Sequence, residues 1–350
     1  MCGPSCTADG IALLGRAHEG AEALLERFGV PVDKALDIEE PRDFDRVVSR
    51  LATALRSRVG RSEAAAVRSV VAALDVDWRA TTGARRRSLI AHVMTLAGRS
   101  TRGVPGQIEA TIGRAAEAVV RAVRSRGRRR DGLAIAADFN AIDHRVIAHV
   151  RRSQGPFVRQ EYVRRAAAFE HRARDTVATA LERGLGREDI AIELERLATG
   201  VLVTGSTPYW EVVAGTVVSS GRSYAQVSAY AEAGIDRYRV VAVLDRATTP
   251  ICSFLDGKTF SVATALDRFE AIEQAATIGD LQDAHPWVRV GRDGGKGPQL
   301  YVERGGERTT VATGNAGGGF ASALNDRDLE SLGLGFPPYH GLCRSTTVPA

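Results

Sequence analysis

The sequence predicts an α+β protein: a mainly helical N-terminal two-thirds followed by a small C-terminal α+β domain with β-hairpins. Three observations lead there. Apolar residues recur at helical spacing through roughly the first two hundred positions. After Gly234 that period gives way to short β-branched and aromatic runs broken by Gly-rich turns. A length of 350 residues also exceeds what one core usually serves. We therefore expect a helical, partly basic region over 1–150, a second helical segment over 151–234, and a C-terminal domain over 235–350 carrying an insert at about 261–336.

Taken in order, residues from about Gly10 to Leu202 read as successive helices. Phe169, Ala173, Val177, Ala180 and Leu181 share one face, Arg164, Arg165, Arg172, Arg174 and Asp175 fall between them, and Gly184 stops the run. The next helix carries Glu188 and Asp189 in its first turn, where the helix dipole favours anions, and lines up Ile190, Leu194 and Leu197. Thr207-Pro208 opens a long helix through Trp210, Val213, Val217, Tyr224 and Val227 that ends at Gly234. Tyr238, Val240, Val241 and Val243 suggest a strand, and Asp256-Gly257 between Phe254-Leu255 and Phe260 is a hairpin signal. A helix from about Ala263 to Ala276 precedes three β-like runs at 287–290, 299–303 and 308–312, and 313–319 reads as a mobile loop.

Composition narrows the function classes. Apolar content of 44% and charged content of 25% are ordinary for a folded chain, and no apolar run is long enough for a membrane span, so no membrane partner is expected. Four Cys cannot staple so large a chain, and a reducing compartment is the simpler setting. The net charge of +5 is unevenly spread: Arg85 to Arg174 holds 20 Arg against 7 acidic residues. Arg121, Arg124, Arg126, Arg128, Arg129 and Arg130 crowd ten positions. They are either a solvated helix end or a non-specific contact to the phosphates of double-stranded DNA; no aromatic residue is interleaved for base stacking.

Cys252, His340 and Cys343 form the best candidate site, because scarce residue types fall together in turn-rich segments. A His-x-x-Cys turn can place two ligands on one zinc ion while a distant Cys adds a third, with Asp245, Asp256 or water in the fourth position. The other reading makes both Cys small buried hydrophobes and His340 a hydrogen-bond donor. Cys2 and Cys6 sit in a tail of small residues, and His144 and His149, five apart, share no helix face. Gly291 to Gly297 lacks the spacing and the Ser or Thr of a phosphate loop and reads as a hairpin turn. The His-x-Glu with Pro-Cys-x-x-Cys, His-Glu-x-x-His and Gly-x-Ser-x-Gly patterns are absent, which argues against an enzyme.

Four pieces then recur in a telling order: Gly184 to Ala191, the helix ending Ala229-Tyr230-Ala231-Glu232-Ala233-Gly234-Ile235, the Asp245 to Phe260 segment with Asp256, Gly257 and Phe260, and Pro337-Pro338-Tyr339-His340-Gly341-Leu342-Cys343-Arg344, with Pro338 and Arg344 at its ends. This arrangement resembles the Mu F-like minor head, or head-morphogenesis, proteins of tailed bacteriophages over about half the chain. The resemblance implies a structural and assembly protein of a phage or prophage head, acting near the portal vertex, with portal protein and other capsid or scaffold proteins as partners and packaged DNA within reach. It implies a place in the virion, in the capsid interior or at the portal vertex, and in the host cytoplasm during assembly. Two departures stand out. Gly215-Thr216-Val217 replaces an Arg-Thr-Glu common in relatives, and Thr249-Pro250-Ile251-Cys252 replaces a Cys-Pro-x-Cys turn, which removes one possible zinc ligand. The alternative is a metal-dependent hydrolase or transferase, or a toxin-like domain, built on the Cys252/His340/Cys343 cluster.

Overall fold

The computed structural model describes residues 37–136, 139–203, 207–292, 297–315 and 319–350. The expected tail at Cys2 and Cys6 lies outside these residues. The chain is α+β, helical up to Glu232 and mixed thereafter. Its contacts group into two compact units, one of Met1–Leu51, Ile112–Ser153 and Glu211–Ala350, the other of Ala52–Thr111 and Gln154–Trp210. The sequence led us to expect consecutive segments at 1–150, 151–234 and 235–350. The units are instead interleaved, because α1 (Pro41–Leu74), α3 (Val104–Arg129), α4 (Ala141–Glu182) and α6 (Thr207–Glu232) each run through a boundary.

The all-helical unit contains α2 (Gly83–Thr101), α5 (Arg187–Leu202) and parts of those four helices. Its core holds Leu74, Trp78, Ile90, Val93, Phe169, Val177 and Leu194, so the apolar face expected along α4 is the buried one. Trp78 is satisfied as well as buried: its Nε1 donates to Leu74 O at 3.1 Å, and Arg86 Nη2 donates to Trp78 O at 2.8 Å. Thr82 caps α2 by accepting from Arg85 N. Gly184 at φ +73 ends α4 and lets Leu185 N donate back to Ala180 O, the left-handed termination that glycine favours.

The second unit carries both sheets. β1 (Arg237–Val241) is central in a three-stranded antiparallel sheet, with β2 (Thr259–Ser261) on one side and β7 (Thr346–Pro349) on the other. Tyr238 and Val240 alternate inward along β1, as period-two patterning requires. The expected hairpin arm before Asp256-Gly257 is a helix instead, α7 (Pro250–Leu255). Thr249 accepts from Cys252 N and Pro250 takes the first helical position, so local capping overrides strand propensity. Gly257, at φ +77, still makes the turn into β2, and its N–H donates to Val240 O.

Beyond β2 come α8 (Val262–Gln274) and α9 (Ile278–Ala284), then a meander of β3 (Arg289–Arg292), β4 (Pro298–Arg304), β5 (Glu307–Gly314) and β6 (Phe320–Ser322). β3 and β4 pair antiparallel with Arg292 opposite Pro298, and 293–296, within the Gly-rich stretch expected to turn, lie outside the described residues. Asn315 N donates to Gly319 O across the stretch expected to be mobile; 316–318 lie outside the described residues. α10 (Asp326–Ser331) leads to the Pro337–Arg344 segment and β7.

Candidate metal centre

Capping brings the ligands together. With Thr249 and Pro250 starting α7, Cys252 falls in its first turn on the buried side. The downstream pair comes from a turn in which Cys343 N donates to His340 O at 3.3 Å. The two remote stretches meet: Cys252 Sγ is 3.1 Å from His340 Nε2 and 3.8 Å from Cys343 Sγ. One donor atom from each residue lies within 4.8 Å of the other two, so the group could hold a metal ion. Cys252 and Cys343 are buried and His340 is half-buried. A sulfur separation of 3.8 Å is far beyond a disulfide bond of about 2.05 Å.

Asp245 does not join the group. It is exposed, and its Oδ1 accepts from Arg344 Nη2 at 2.6 Å and from Ala247 N at 2.9 Å; the Arg344 hydrogen bond holds its carboxyl below the usual range. Asp256 is also occupied, accepting from Ala242 N at 2.8 Å. Thr249 Oγ1 is 3.0 Å from His340 Nε2, close to the group in place of an acid. Charge within the pair is uneven. The hydrogen bond from Cys343, aided by His340, Ser345 and Thr249, holds the Cys252 thiol well below its ordinary range, and burial pushes Cys343 up.

The segment bearing the group is pinned from α6. Arg222, fully buried, donates from Nη2 to Arg344 O at 3.0 Å and Ser345 O at 2.6 Å, and from Nη1 to Ile38 O at 3.0 Å. Burial draws its guanidinium down to about 10, so it stays charged at neutral pH. One turn on, Gln226 Nε2 donates to Thr346 Oγ1 at 2.8 Å; another turn on, Tyr230 OH donates to Thr347 O at 2.8 Å. None of the three was singled out from the sequence as part of the site. The available signal was the four-residue spacing of Arg222, Gln226 and Tyr230, which puts them on one face of the helix. Gly215 makes room for the same turn, since a Cβ there would lie 2.9 Å from Gly341 O, and Thr216 Oγ1 donates to that oxygen at 3.3 Å. Gly215 and Thr216 thus face the turn that carries His340 and Cys343.

Other motif residues are structural. Phe260 is fully buried on β2, Pro338 follows a cis peptide bond, and Arg344 bridges Asp245 and Asp45.

The arginine stretch is not one free surface. Arg124 is buried, and its Nη1 lies 3.0 Å from Glu232 and 3.3 Å from Asp143. Arg126 and Arg130 share Asp37, and Arg121 pairs with Glu117. Arg128 and Arg129 alone of the six are exposed without an ion pair among the described residues. For Arg124, Arg126 and Arg130 sequence clustering missed this because partners at positions 37, 143 and 232 lie outside the stretch.

No protein-family model matches the chain, and no curated protein and no solved structure matches it either.

Proposed function

We propose that this chain is a structural and assembly component of a tailed-phage or prophage head, and that Cys252, His340 and Cys343 hold a zinc ion that fastens its C-terminal segment. The observation carrying this reading is the 3.1 Å approach of Cys252 to His340 across 88 residues. That approach joins the two most distinctive pieces of the resemblance.

Zinc suits the donor set of two sulfurs and one imidazole. Bonds of about 2.3 Å at tetrahedral angles put two zinc-bound sulfurs about 3.8 Å apart, and the two sulfurs here are 3.8 Å apart. The imidazole is drawn a few tenths of an ångström closer by its hydrogen bond to sulfur and would swing back around a cation. Zinc would supply a crosslink between α7 and the 340–343 turn, and Thr249 or water would complete its shell.

Metal content, thermal stability and head composition test the reading. Metal analysis of the purified full chain should find about one zinc per chain. Cys343→Ser should lose it and melt lower, with no change in any hydrolytic or transfer activity. Co-expression with the portal and capsid proteins of the same genetic element should recover the chain in purified heads by mass spectrometry. Its absence from heads, together with normal head yield after deletion, would overturn the assembly role.

A second reading rests on one observation. A thiolate-prone Cys252 beside an imidazole is also how nucleophilic cysteines are arranged. At 5% exposure its sulfur is poorly placed to meet a substrate. Turnover by wild type that disappears in a folded Cys252→Ser protein would favour this reading.

A further inference from the structure

The all-helical unit pairs some of its arginines and leaves others, Arg58, Arg61, Arg68, Arg172 and Arg196 among them, exposed with no ion pair among the described residues. Arg159 is matched to Glu109, Arg164 and Arg165 to Glu161, Arg174 to Glu170, Arg183 to Glu193, and Arg187 to Asp75. Helix α2 belongs with the unpaired group and has no acid of its own to offer among its 19 residues. Arg85, Arg87, Arg99 and the following Arg102 are exposed, and none has an ion pair among the described residues. Arg86 is excluded, because its guanidinium is spent on Trp78 O.

Arg85, Arg99 and Arg102 share one side of the helix, and Arg87, two residues on from Arg85, falls on another. Ile90, Val93 and Ala97 fix the buried side of α2. At 100° per residue, Arg85, His92 and Arg99 recur every seventh position on the side opposite that core, with Arg102 one turn further on. At 1.5 Å per residue, Arg85 to Arg102 spans about 25 Å. Ser88, Ala91 and Thr95 fill the exposed positions between, small enough to let a broad partner approach.

We propose that the outer face of α2 binds the sugar-phosphate backbone of duplex nucleic acid without reading its sequence. The guanidinium fork matches phosphate oxygens, and unpaired cations on one helix face give up no internal ion pair when a polyanion arrives. Other occupants fit less well. The face has no aromatic residue to stack on unpaired bases, no large apolar side chain to enter a lipid surface, and no buried anchor of the kind protein interfaces use. This proposal is independent of the head-assembly reading: a chain absent from phage heads would still bind duplex through α2.

Fluorescence anisotropy of the full chain with a labelled duplex of random sequence, titrated over a salt series, tests it. Three phosphate contacts predict a log-log salt slope of about −2.7 in wild type. The variant Arg85→Glu/Arg99→Glu/Arg102→Glu should bind at least about tenfold more weakly, with a slope shallower by about 2 to 3. Arg85→Gln/Arg99→Gln/Arg102→Gln provides the same test should the charge reversal unfold, with circular dichroism checking helix content. Arg128→Glu/Arg129→Glu should bind as wild type does. The proposal fails if wild type binds no duplex, if the folded triple variant keeps wild-type affinity and slope, or if the Arg128/Arg129 variant loses as much. It fails equally if polyglutamate or phosphatidylserine vesicles bind as tightly as duplex at matched charge, which would reassign the face to an acidic protein or a membrane surface.

Discussion

Cys252, His340 and Cys343 were legible in the sequence because Cys and His are rare in this chain and both segments are otherwise turn-forming. Arg222 was illegible for the opposite reason: in a chain this rich in arginine, one more arginine carries no signal, and its acceptors are main-chain carbonyls that no residue type announces. Yet it holds the peptide immediately after Cys343. Arg222→Met should lower stability by about 3 kcal/mol, since three carbonyls lose a charged donor in a buried setting. Chemical denaturation read by circular dichroism measures this, and a loss below about 0.5 kcal/mol would mean water replaces the guanidinium. Thr249 invites a paired comparison. Thr249→Ala removes the α7 cap and the neighbour of His340, and should cost about 1 kcal/mol, whereas Thr249→Ser should retain most of it.

Helices and turns were more readable than the choice between helix and strand in short segments. The terminators at Gly184 and Gly234 stood where a left-handed residue is needed, and both have positive φ. The segment before Asp256 was misread because six residues carry too little period to separate the two states, and Thr249-Pro250 decided it locally. The opposite face of the site depends on closeness between elements. Gly215 on α6 faces Gly341 in the turn, and a Cβ on Gly341 would come within 2.7 Å of Val212 Cγ1. Gly215→Ala should therefore push the 340–343 turn outward and lower stability by about 1 to 2 kcal/mol while reducing metal uptake, read from the melting temperature and metal content of the same preparation. Unchanged values in both would show that the turn yields freely.

For the molecule as a whole, charge and length were readable but the interleaving of the two units was not, because a helix crossing from one unit to the other keeps the same local period throughout. Burial of two histidines likewise depends on remote partners. His149 lies edge-on to Tyr224 and Phe269, and His285 packs on Phe336. Burial lowers His149 to about 3 and His285 to about 4. Arg152 and Arg268 add to the effect, and the Phe336 carbonyl opposes it at His285. Both folded values lie below the ordinary value of 6.5, so the unfolded chain takes up the protons first. Stability is complete above about pH 6.5 and falls as the pH drops towards 4 and then 3, by a few kcal/mol in total. Thermal melts across that range should show the decline, and His149→Phe/His285→Phe should flatten it. A double variant as acid-sensitive as wild type would assign the decline to carboxylates.

The central strand of the smaller sheet has consequences for biosynthesis. Residues 237–241 leave the ribosome more than a hundred residues ahead of 346–349, their second neighbour. Until then one ladder of amide and carbonyl groups is open to any passing extended peptide. A nascent polypeptide arrested shortly before position 346 should therefore be sticky and engage chaperones until residues 346–349 are free to pair.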